Sequence, residues 1–484
     1  MSELSWWAHL WSVLPEIVLV IAAVVTMAAD AWLPEGRKRE LGYWAIGGLA
    51  VALGVTAVQA AQLAGGMAAP YEAFGGSVRA DLAAMLFRLI FLLAGILTVA
   101  ISMDFRPLRQ SGEYYTLLLL SILGMGLMGA AVNLVTLYLA LETVGIALYL
   151  LAGYLRDTPR SAEAGLKYFL FGVFSSTIML YGLALLYGFT GEIAYARIAQ
   201  ALGALPSPAV MAALLLVLVG FGFKVSAVPF HFWTPDVYEG APTPITAFIS
   251  VASKAAGFAV LIRAMIEAFP TVQGNWVALI SALAFVTMTV GNLLAIPQRN
   301  LKRLLAYSSI AQAGYILIGV AAASPLGIAA SIFYLGIYTL TNIAAFAVAV
   351  IMTNVTGSEE IRDLAGLSRR SPGLALAMLA ALLSLGGIPP LVGFFAKLFV
   401  FAAAIESGLL WLAIAGVLNA MVAFYYYIMV ARAMYVDRSP EEGKPVWISR
   451  PARFTLWFTV AGVLLLTVLV YPLYQLAQMA AQAL

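Results

Sequence analysis

The sequence contains no cysteine and only two histidines, His9 and His231. Without cysteine the chain can form no disulfide and no thiolate-ligated iron–sulfur cluster, and it carries no redox-active thiol. A haem held by two histidines would need both of them, and His9 precedes the first long apolar run, which argues strongly against such a site. We therefore expect this chain to bind neither a metal nor a redox cofactor.

Charged residues are scarce as well. They make up 10% of the 484 residues, whereas 63% of the residues are hydrophobic. A soluble domain carries about 25% charged residues, so a large soluble core does not explain this composition. Many separate apolar runs reach the roughly 20 residues that cross a bilayer as a helix. The sequence therefore predicts an all-α polytopic membrane protein.

Phosphate-binding signatures are missing too. The chain has neither a GxxxxGK[ST] loop nor a strand–GxGxxG–helix unit, so we expect it to bind neither ATP nor NADH. The loops near 355–372 and 437–452 are too short to fold alone. We expect no nucleic-acid partner, and no basic region precedes the first apolar run, which favours a retained helix over a cleaved signal peptide.

Hydropathy predicts about fourteen spans. They lie near residues 11–31, 42–64, 81–103, 114–132, 134–154, 165–190, 208–230, 242–267, 275–296, 303–323, 326–353, 373–405, 408–435 and 454–478. Lysine and arginine are concentrated in the loops that follow odd-numbered spans, whereas the other loops hold only Arg79 and Arg197. The positive-inside rule then places the odd-numbered loops in the cytoplasm and both termini outside.

Two predicted spans are interrupted by glycine and proline, and each break lies beside a lysine. Span 7 breaks near Pro229 beside Lys224, and span 12 breaks near residues 386–390 beside Lys397. The two spans are five apart and cross in opposite directions, which is typical of inverted repeats with a site at the midplane. We therefore divide the chain into helices 1–3 (1–110), a first five-helix repeat (111–270), a second, inverted repeat (271–437), and a loop with helix 14 (438–484).

Four charged residues fall within predicted spans: Glu142 in span 5, Lys224 in span 7, Lys254 in span 8 and Lys397 in span 12. An ammonium group costs roughly 2.5–3.5 kcal/mol in the bilayer interior on insertion scales. Burial can lower the pKa of a lysine while a nearby carboxylate opposes that change, so moving Glu142 relative to Lys224 would switch the lysine's proton affinity. The set favours a proton relay. The alternative is a static pair that fixes helix packing, although Lys254 and Lys397 have no acid in their own spans.

Two further residues have two interpretations each. His231 either relays protons between Lys224 and Lys254 or is a loop-end histidine bonded to a carbonyl. Lys167 at the start of span 6 either tunes Glu142 or extends toward the membrane surface as an ordinary helix-end lysine.

Other notable side chains are predicted to be structural. Arg88 and Arg263 lie near outer helix ends, and Arg263 has Glu267 one turn further on, so we expect ion pairing there. The consecutive tyrosines Tyr425, Tyr426 and Tyr427 are predicted to pack between helices or at the membrane interface.

Several segments resemble one known family. KVSAVPFHFWTPDVYEGAPTPITAFISVASKAAGF at 224–258 closely resembles the signature of subunit N of bacterial proton-translocating NADH:quinone oxidoreductase, respiratory complex I. LETVGIALYLLAGY (141–154), PQRNLKRLLAYSSIAQAGY (297–315) and LLSLGGIPPLVGFFAKLFVF (382–401) are similar to the same family. The related L, M and Mrp-type antiporter subunits typically carry a histidine in the eighth span, where this chain has SVASKAAGF. Subunit M also has an acid in place of Lys397.

The resemblance implies a function in a multi-subunit complex. Glu142 and Lys224 would form the input pair, Lys254 the central relay and Lys397 the terminal site. NAD, FMN, iron–sulfur clusters and quinone would reside in partner subunits. The partners would be adjacent antiporter-like and small membrane subunits and a peripheral redox arm, in a bacterial inner membrane. The competing expectations are an Mrp-type cation/proton antiporter subunit and a structural scaffold whose buried charges only set helix register.

Overall fold

The computed structural model describes residues 5–203, 207–440 and 444–484, and this part of the chain is almost entirely α-helical. The helices are α1 (Trp6–Ser12), α2 (Leu14–Trp32), α3 (Leu41–Ala64), α4 (Leu82–Ser102), α5 (Gly112–Ala130), α6 (Leu134–Ala152), α7 (Pro159–Thr190), α8 (Tyr195–Leu202), α9 (Ser207–Val225), α10 (Trp233–Gly240), α11 (Thr243–Phe248), α12 (Lys254–Glu267), α13 (Gln273–Ala295), α14 (Leu301–Ala321), α15 (Pro325–Thr356), α16 (Leu367–Arg370), α17 (Pro372–Gly386), α18 (Val392–Glu406), α19 (Leu410–Tyr435), α20 (Arg450–Val468) and α21 (Val470–Gln482).

Shorter elements connect these helices. Strands β1 (Tyr71–Ala73) and β2 (Val78–Ala80) form an antiparallel hairpin between α3 and α4. A π-helical turn at Ile249–Ser253 joins α11 to α12. Turns of 3-10 helix lie at Glu35–Glu40, Pro270–Val272 and Ile361–Leu364.

Within the described residues, thirteen segments are helical, long and apolar enough to cross a membrane. The predicted twelfth span is not among them, because it consists of the two shorter helices α17 and α18 on either side of a break. Counting this pair as one span confirms the predicted number of spans. Successive spans alternate in direction, so the loops after odd-numbered spans share one side. We call that side the basic face, because it carries the arginines and lysines of those loops.

The third helices of the two predicted repeats have the same local structure. α7 and α15 each run for 32 residues, start with a proline and end at a threonine followed by a left-handed glycine, Gly191 (φ 69°) or Gly357 (φ 67°). Glycine suits these positions because a positive φ is strained for residues with a Cβ. The two predicted repeats therefore resemble each other in the length of their third helix and in how that helix begins and ends, as well as in their breaks.

The second helices of the repeats are also anchored alike. Asn133 caps α6 by accepting from the Thr136 N–H, and Asn300 caps α14 in the same way. Side-chain acceptors at this position satisfy amides that the helix leaves free. Asn133 forms an isolated bridge with Ala194, and Asn300 forms one with Glu360. Each repeat thus ties the start of its second helix to the loop after its third.

Two buried arginines confirm the predicted structural pairing. Arg88 Nε of α4 lies 2.8 Å from Glu16 Oε1 of α2. Arg263 of α12 lies 2.8 Å from Asp81 Oδ2 and 3.0 Å from Glu267 Oε1. Asp81 is the partner that helix spacing did not predict, because it belongs to the start of α4. The Arg88–Glu16 pair joins two N-terminal helices, and the Arg263–Asp81 pair joins the N-terminal helices to the first repeat.

Candidate functional site

The seventh span breaks between α9 and α10, just after Lys224. The chain leaves α9 through Ser226, which is left-handed (φ 61°), and continues through a cis peptide bond before Pro229. One backbone N–H freed by the break, that of Val228, donates to Thr287 Oγ1 of α13 at 3.0 Å. Freed backbone groups at membrane depth must face protein or water. A helix of the second repeat therefore closes the break in the first.

Lys224 is buried, with 3% of its surface exposed. Its stem packs against Gly257 of α12, where an added Cβ would lie 3.0 Å from Lys224 Cγ. Glu142 on α6 interacts electrostatically with Lys224, but Glu142 Oε1 is buried without a hydrogen-bond partner. Among the described residues, the predicted input pair therefore interacts through its charges but forms no hydrogen-bonded ion pair.

Lys254 lies at the point where the π-helical turn passes into α12. Its Nζ donates to the Ser309 carbonyl oxygen at 2.8 Å and to Ser309 Oγ, and the residue is almost fully buried. π-Helical turns often occur at functional sites. Because Gly257 follows one turn later, α12 places Lys254 between the broken span that carries Lys224 and α14. α12 therefore relates the two lysines, since it carries Lys254 itself and packs against the Lys224 stem one turn later.

α14, in the second repeat, carries a buried polar stripe toward the break in the twelfth span. Ser308 Oγ lies 2.6 Å from the Tyr427 hydroxyl of α19. Gln312 Nε2 donates to the same hydroxyl at 3.3 Å and to the Leu385 carbonyl at 3.0 Å, where α17 ends. The hydroxyl of Tyr334 donates to Gln312 Oε1 at 2.5 Å. The stripe thus runs from the side of Lys254 to the break in the twelfth span.

Lys397 lies beyond that break, on α18. Its Nζ donates to the Gly386 carbonyl at 3.0 Å and lies 4.5 Å from the centre of the Tyr315 ring. An ammonium over an aromatic face is stabilised by the ring quadrupole. Gly387 is left-handed (φ 80°), and a Cβ there would lie 2.8 Å from Lys397 Cδ. Glycine is therefore required both for the turn and for the lysine stem.

The two break lysines are not at equivalent positions. Lys224 is the penultimate residue of α9, before its break, whereas Lys397 lies on α18, after its break. The breaks therefore correspond between the repeats, but the lysines beside them do not. We call Lys224, Lys254, Ser309, Ser308, Tyr427, Gln312 and Lys397 the buried axis.

A cluster of ion pairs lies where α10 reaches the basic face. Arg303 Nη1 of α14 lies 2.8 Å from Asp236 Oδ1 and 2.9 Å from Glu239 Oε2. With Arg160 and Glu163, these side chains line a cavity of about 180 Å³. Burial alone would raise the pKa of Asp236, but hydrogen bonds from Lys167 and Arg303 outweigh it and hold that pKa below its usual value.

Lys167 belongs to this cluster. Its Nζ lies 2.6 Å from Asp236 Oδ2 and 2.7 Å from Glu163 Oε1. These carboxylates, rather than Glu142, are the ion-pair partners of Lys167, and the interpretation that it tunes Glu142 stays a prediction. A helix-end lysine that reaches polar groups is the simpler description.

His231 lies between the break and α10. Its side chain is buried, its Nδ1 has no hydrogen-bond partner, and its ring packs on Phe232 at 4.7 Å. Burial lowers the pKa of His231, because it disfavours the imidazolium, and a backbone hydrogen bond at Pro229 opposes this only in part. In the described part of the chain, no hydrogen bond joins His231 to Lys224 or to Lys254.

Several site residues escaped the sequence analysis. Ser309, Gln312 and Tyr427 were not identified, and Tyr238, whose hydroxyl lies 3.4 Å from Ser309 Oγ, was not either. The sequence does contain a signal for the α14 residues, because polar residues recur at helical spacing within an otherwise apolar span (LLAYSSIAQAGY), which indicates a polar helix face. Tyr425 is exposed, as an interface residue would be, whereas Tyr427 is buried and hydrogen-bonded.

Comparisons with known proteins agree with this architecture. Residues 131–423 match the family described as NADH:quinone oxidoreductase/Mrp antiporter, TM. The chain is 44% identical over 472 residues to NADH-quinone oxidoreductase subunit N of Moorella thermoacetica, covering 96% of each sequence.

Solved structures show the same relationship. A chain of respiratory complex I from Thermus thermophilus superposes with a TM-score of 0.79 at 33% identity, covering 95% of this chain and 98% of that one. A chain of the Mrp complex from Dietzia sp. gives a TM-score of 0.85 at 21% identity over 97% of each chain, a likeness of fold alone. With two broken spans, buried intramembrane lysines and these relatives, the chain belongs to the NADH:quinone oxidoreductase/Mrp antiporter family, alongside the proteins named NADH-quinone oxidoreductase subunit N.

Proposed function

We propose that this chain is a proton-translocating membrane subunit of an NADH:quinone oxidoreductase, in which quinone reduction in other subunits drives protons along the buried axis. The observation that carries this proposal is that, among the described residues, no carboxylate lies within ion-pair or hydrogen-bond distance of buried Lys224, Lys254 or Lys397. Such an arrangement is unfavourable for three permanent charges. It suits three groups that gain and lose protons in turn.

The other buried basic residues provide the contrast. In the part of the chain that the structure describes, six lysine and arginine side chains are buried. Arg88, Arg263 and Lys302 each form an ion pair with a carboxylate. An arginine stays charged and needs such a partner, whereas a lysine can release its proton. A scaffold that used charge only to fix helix register would pair all six, so this pattern favours translocation.

The proposed route begins at Glu142, whose approach to Lys224 would raise that lysine's proton affinity and whose withdrawal would lower it. The Lys224 stem contacts Gly257, one turn from Lys254, so the proton next reaches Lys254 and then the polar stripe of α14. Moving one charge against 100 mV costs about 2.3 kcal/mol, and one pKa unit is about 1.4 kcal/mol. A change of a few units in the pKa of a lysine is therefore sufficient to move a proton against such a potential.

The remaining assignments are proposals of the same kind. The basic face would be cytoplasmic and both termini outside, in a bacterial inner membrane. Residues 111–270 and 271–437 would act as two half-units. NAD, FMN, iron–sulfur clusters and quinone would be bound by partner subunits, including a peripheral arm. Half-buried Glu142 on the outward side of α6 would face an adjacent membrane subunit, since lipid is an unfavourable neighbour for a carboxylate.

Proton pumping by the assembled complex tests this function. We expect Glu142→Ala and Lys224→Ala each to reduce NADH-driven proton uptake into inverted membrane vesicles, while the complex still assembles. Lys38→Ala is the matched control, since Lys38 pairs with Asp30 at the basic face, away from the axis. Undiminished pumping in both axis variants would exclude the relay.

A cation/proton antiporter subunit is the competing function, favoured only by the likeness of fold to the Mrp chain. Proteoliposomes that contain this chain alone distinguish the two. Robust sodium/proton exchange without partner subunits would support the antiporter, whereas exchange at the level of empty liposomes would support the proposed function.

A further inference from the structure

We propose that Gln312 is a gate in the buried axis, which interrupts proton transfer between Lys254 and Lys397 until the break in span 12 moves. This inference rests on the proposed function and assigns a role to a residue that carries no charge. Gln312 is 1% exposed and lies on α14 between the lysine of the first repeat and the lysine of the second.

The hydrogen bonds of Gln312 have a fixed direction. The Leu385 carbonyl can only accept, so the amide nitrogen of Gln312 must face it, at 3.0 Å. The same nitrogen also donates to the Tyr427 hydroxyl at 3.3 Å, and Oε1 accepts from Tyr334. Both N–H groups and the oxygen are therefore occupied. The Tyr427 hydroxyl, which accepts from Gln312, also shares a hydrogen bond with Ser308 Oγ in which either oxygen can be the donor.

A carboxamide with this pattern stops a proton. A hydroxyl can accept one proton and donate another, whereas an amide neither gains nor loses a proton near neutral pH. On one side the hydrogen-bonded row ends at Leu385 O, and on the other side Lys397 donates to Gly386 O. Carbonyl oxygens cannot pass a proton onward. Among the described residues, the row of hydrogen bonds that passes from Ser308 through Tyr427 is therefore interrupted at Gln312, before it reaches Lys397.

The position of Gln312 couples this interruption to the backbone. Leu385 and Gly386 are consecutive residues at the end of α17, and their carbonyls face Gln312 and Lys397 respectively. Carbonyls freed by a helix break can change partners more readily than those within a helix. A shift of the break would release the amide of Gln312 and the ammonium of Lys397 together. The gate would therefore open when Lys397 changes its own contacts.

Passive proton conductance of the assembled complex, reconstituted in liposomes without NADH, tests the gate. Gln312→Glu places a group of nearly the same shape, but able to carry a proton, at the interruption. We expect it to raise the passive conductance about tenfold, the effect of lowering a barrier by about 1.4 kcal/mol. Gln312→Leu should give no leak, and it should lower NADH-driven pumping because its apolar side chain cannot form the link.

Two controls separate a gate from a general defect. Gln59→Glu also buries a carboxyl, on α3 where the Gln59 amide is bonded to the Trp11 carbonyl, and it should not leak. Adding Lys397→Ala to Gln312→Glu should return the conductance to the wild-type level, because the leak must pass through Lys397. A leak that persists in the double variant, or equal conductance for Gln312→Glu and Gln59→Glu, would overturn the proposal.

A further variant keeps the test decisive if Gln312→Glu fails to assemble. Tyr427→Phe removes only the hydroxyl between Gln312 and Ser308, and it should lower pumping without a leak; normal pumping would count against the gate. The lysine variants are judged independently. If Lys254→Ala stops pumping but Gln312→Glu does not leak, the gate fails and the proposed function stands. If Lys254→Ala pumps normally, the proposed function itself fails.

Discussion

Space beside the axis lysines is created by glycine. Gly257 and Gly387 each face a lysine stem so closely that a Cβ would lie 3.0 Å from Lys224 or 2.8 Å from Lys397. Interiors are packed like organic crystals, so even one additional carbon must displace a neighbour. At these two positions the displaced neighbour is a lysine of the buried axis. The geometry of the axis therefore depends on residues that have no side-chain chemistry of their own.

Gly257→Ala is expected to reduce NADH-driven pumping while leaving assembly intact, because the new methyl group pushes the Lys224 stem away from α12. Overpacking of this kind typically costs about 1–3 kcal/mol. Gly54→Ala on α3 is the matched control, since an added Cβ there meets nothing within 4 Å. Equal pumping by the two variants, measured in inverted vesicles, would show that the contact with Lys224 has no functional role.

His231→Gln is expected to preserve most pumping at pH 7, because His231 has no hydrogen bond to either nearby lysine among the described residues. Its folded-state pKa is depressed by burial, so the unfolded chain binds the proton more readily, with a pKa near 6.5. The stability contributed by the neutral ring is present above that value and falls as the pH falls.

Melting temperatures of the complex at pH 7.5 and pH 5.5 check this prediction. Acidification should lower the melting temperature of the wild type more than that of His231→Gln. The difference should be small because only one side chain is changed. Loss of pumping in His231→Gln would instead support the relay interpretation of this residue.

At the level of elements, α10 is held by three basic residues from two helices, α7 and α14. Lys167 of α7 and Arg303 of α14 bind its carboxylates, and Lys302 Nζ donates to the Ala241 carbonyl at its end, at 2.7 Å. A short helix after a break has little intrinsic stability, since isolated helices under about 12 residues are marginal. Its position must therefore come from these contacts. Tyr238 on α10, which reaches Ser309, is placed by the same contacts.

Among these contacts, the buried one is expected to matter most. Lys302→Met should lower the melting temperature of the complex more than Arg303→Met, because it leaves the buried Ala241 carbonyl unpaired, at a cost of about 1–3 kcal/mol. The pairs of Arg303 are about one-third exposed, and such pairs contribute roughly 0–1 kcal/mol each. The opposite order of melting temperatures would contradict this assignment.

On the scale of the whole molecule, the axis joins two repeats in series. Lys224 and Lys254 belong to the first repeat and Lys397 to the second, and α14 lies between them. Proton transfer along a path in series stops when any one residue of the path cannot pass the proton on. Parallel paths would lose only a share of the proton flux. The arrangement therefore predicts that single replacements at different lysines have similar consequences.

Lys224→Arg, Lys254→Arg and Lys397→Arg are each expected to lower the number of protons pumped per NADH oxidised, because arginine keeps the charge but does not release its proton. A purely structural or electrostatic role would be preserved by arginine. The measurement is the proton-to-NADH ratio in reconstituted complex, with NADH oxidation as the check on assembly. Full ratios in all three variants would favour the scaffold.

Local features of the sequence were sufficient for the spans, the two breaks and the four intramembrane charges. Hydropathy sums over consecutive residues, and proline and glycine act on their own backbone, so tertiary contacts do not alter these signals. The π-helical turn before Lys254 was missed, since no glycine or proline marks it. The split between α20 and α21 was missed as well.

Tertiary structure alone decided the contacts between residues that lie far apart in the sequence. Arg263 binds Asp81 across 182 residues, Lys254 binds Ser309 across 55, and Gln312 binds Leu385 across 73. Such contacts depend on how each helix is rotated and packed against its neighbours, and span hydropathy carries no information on rotation. The sequence determined that lysines lie inside the membrane. Only helix packing decided that Lys224, Lys254 and Lys397 have no carboxylate in contact among the described residues and that α12 and α14 lie between them.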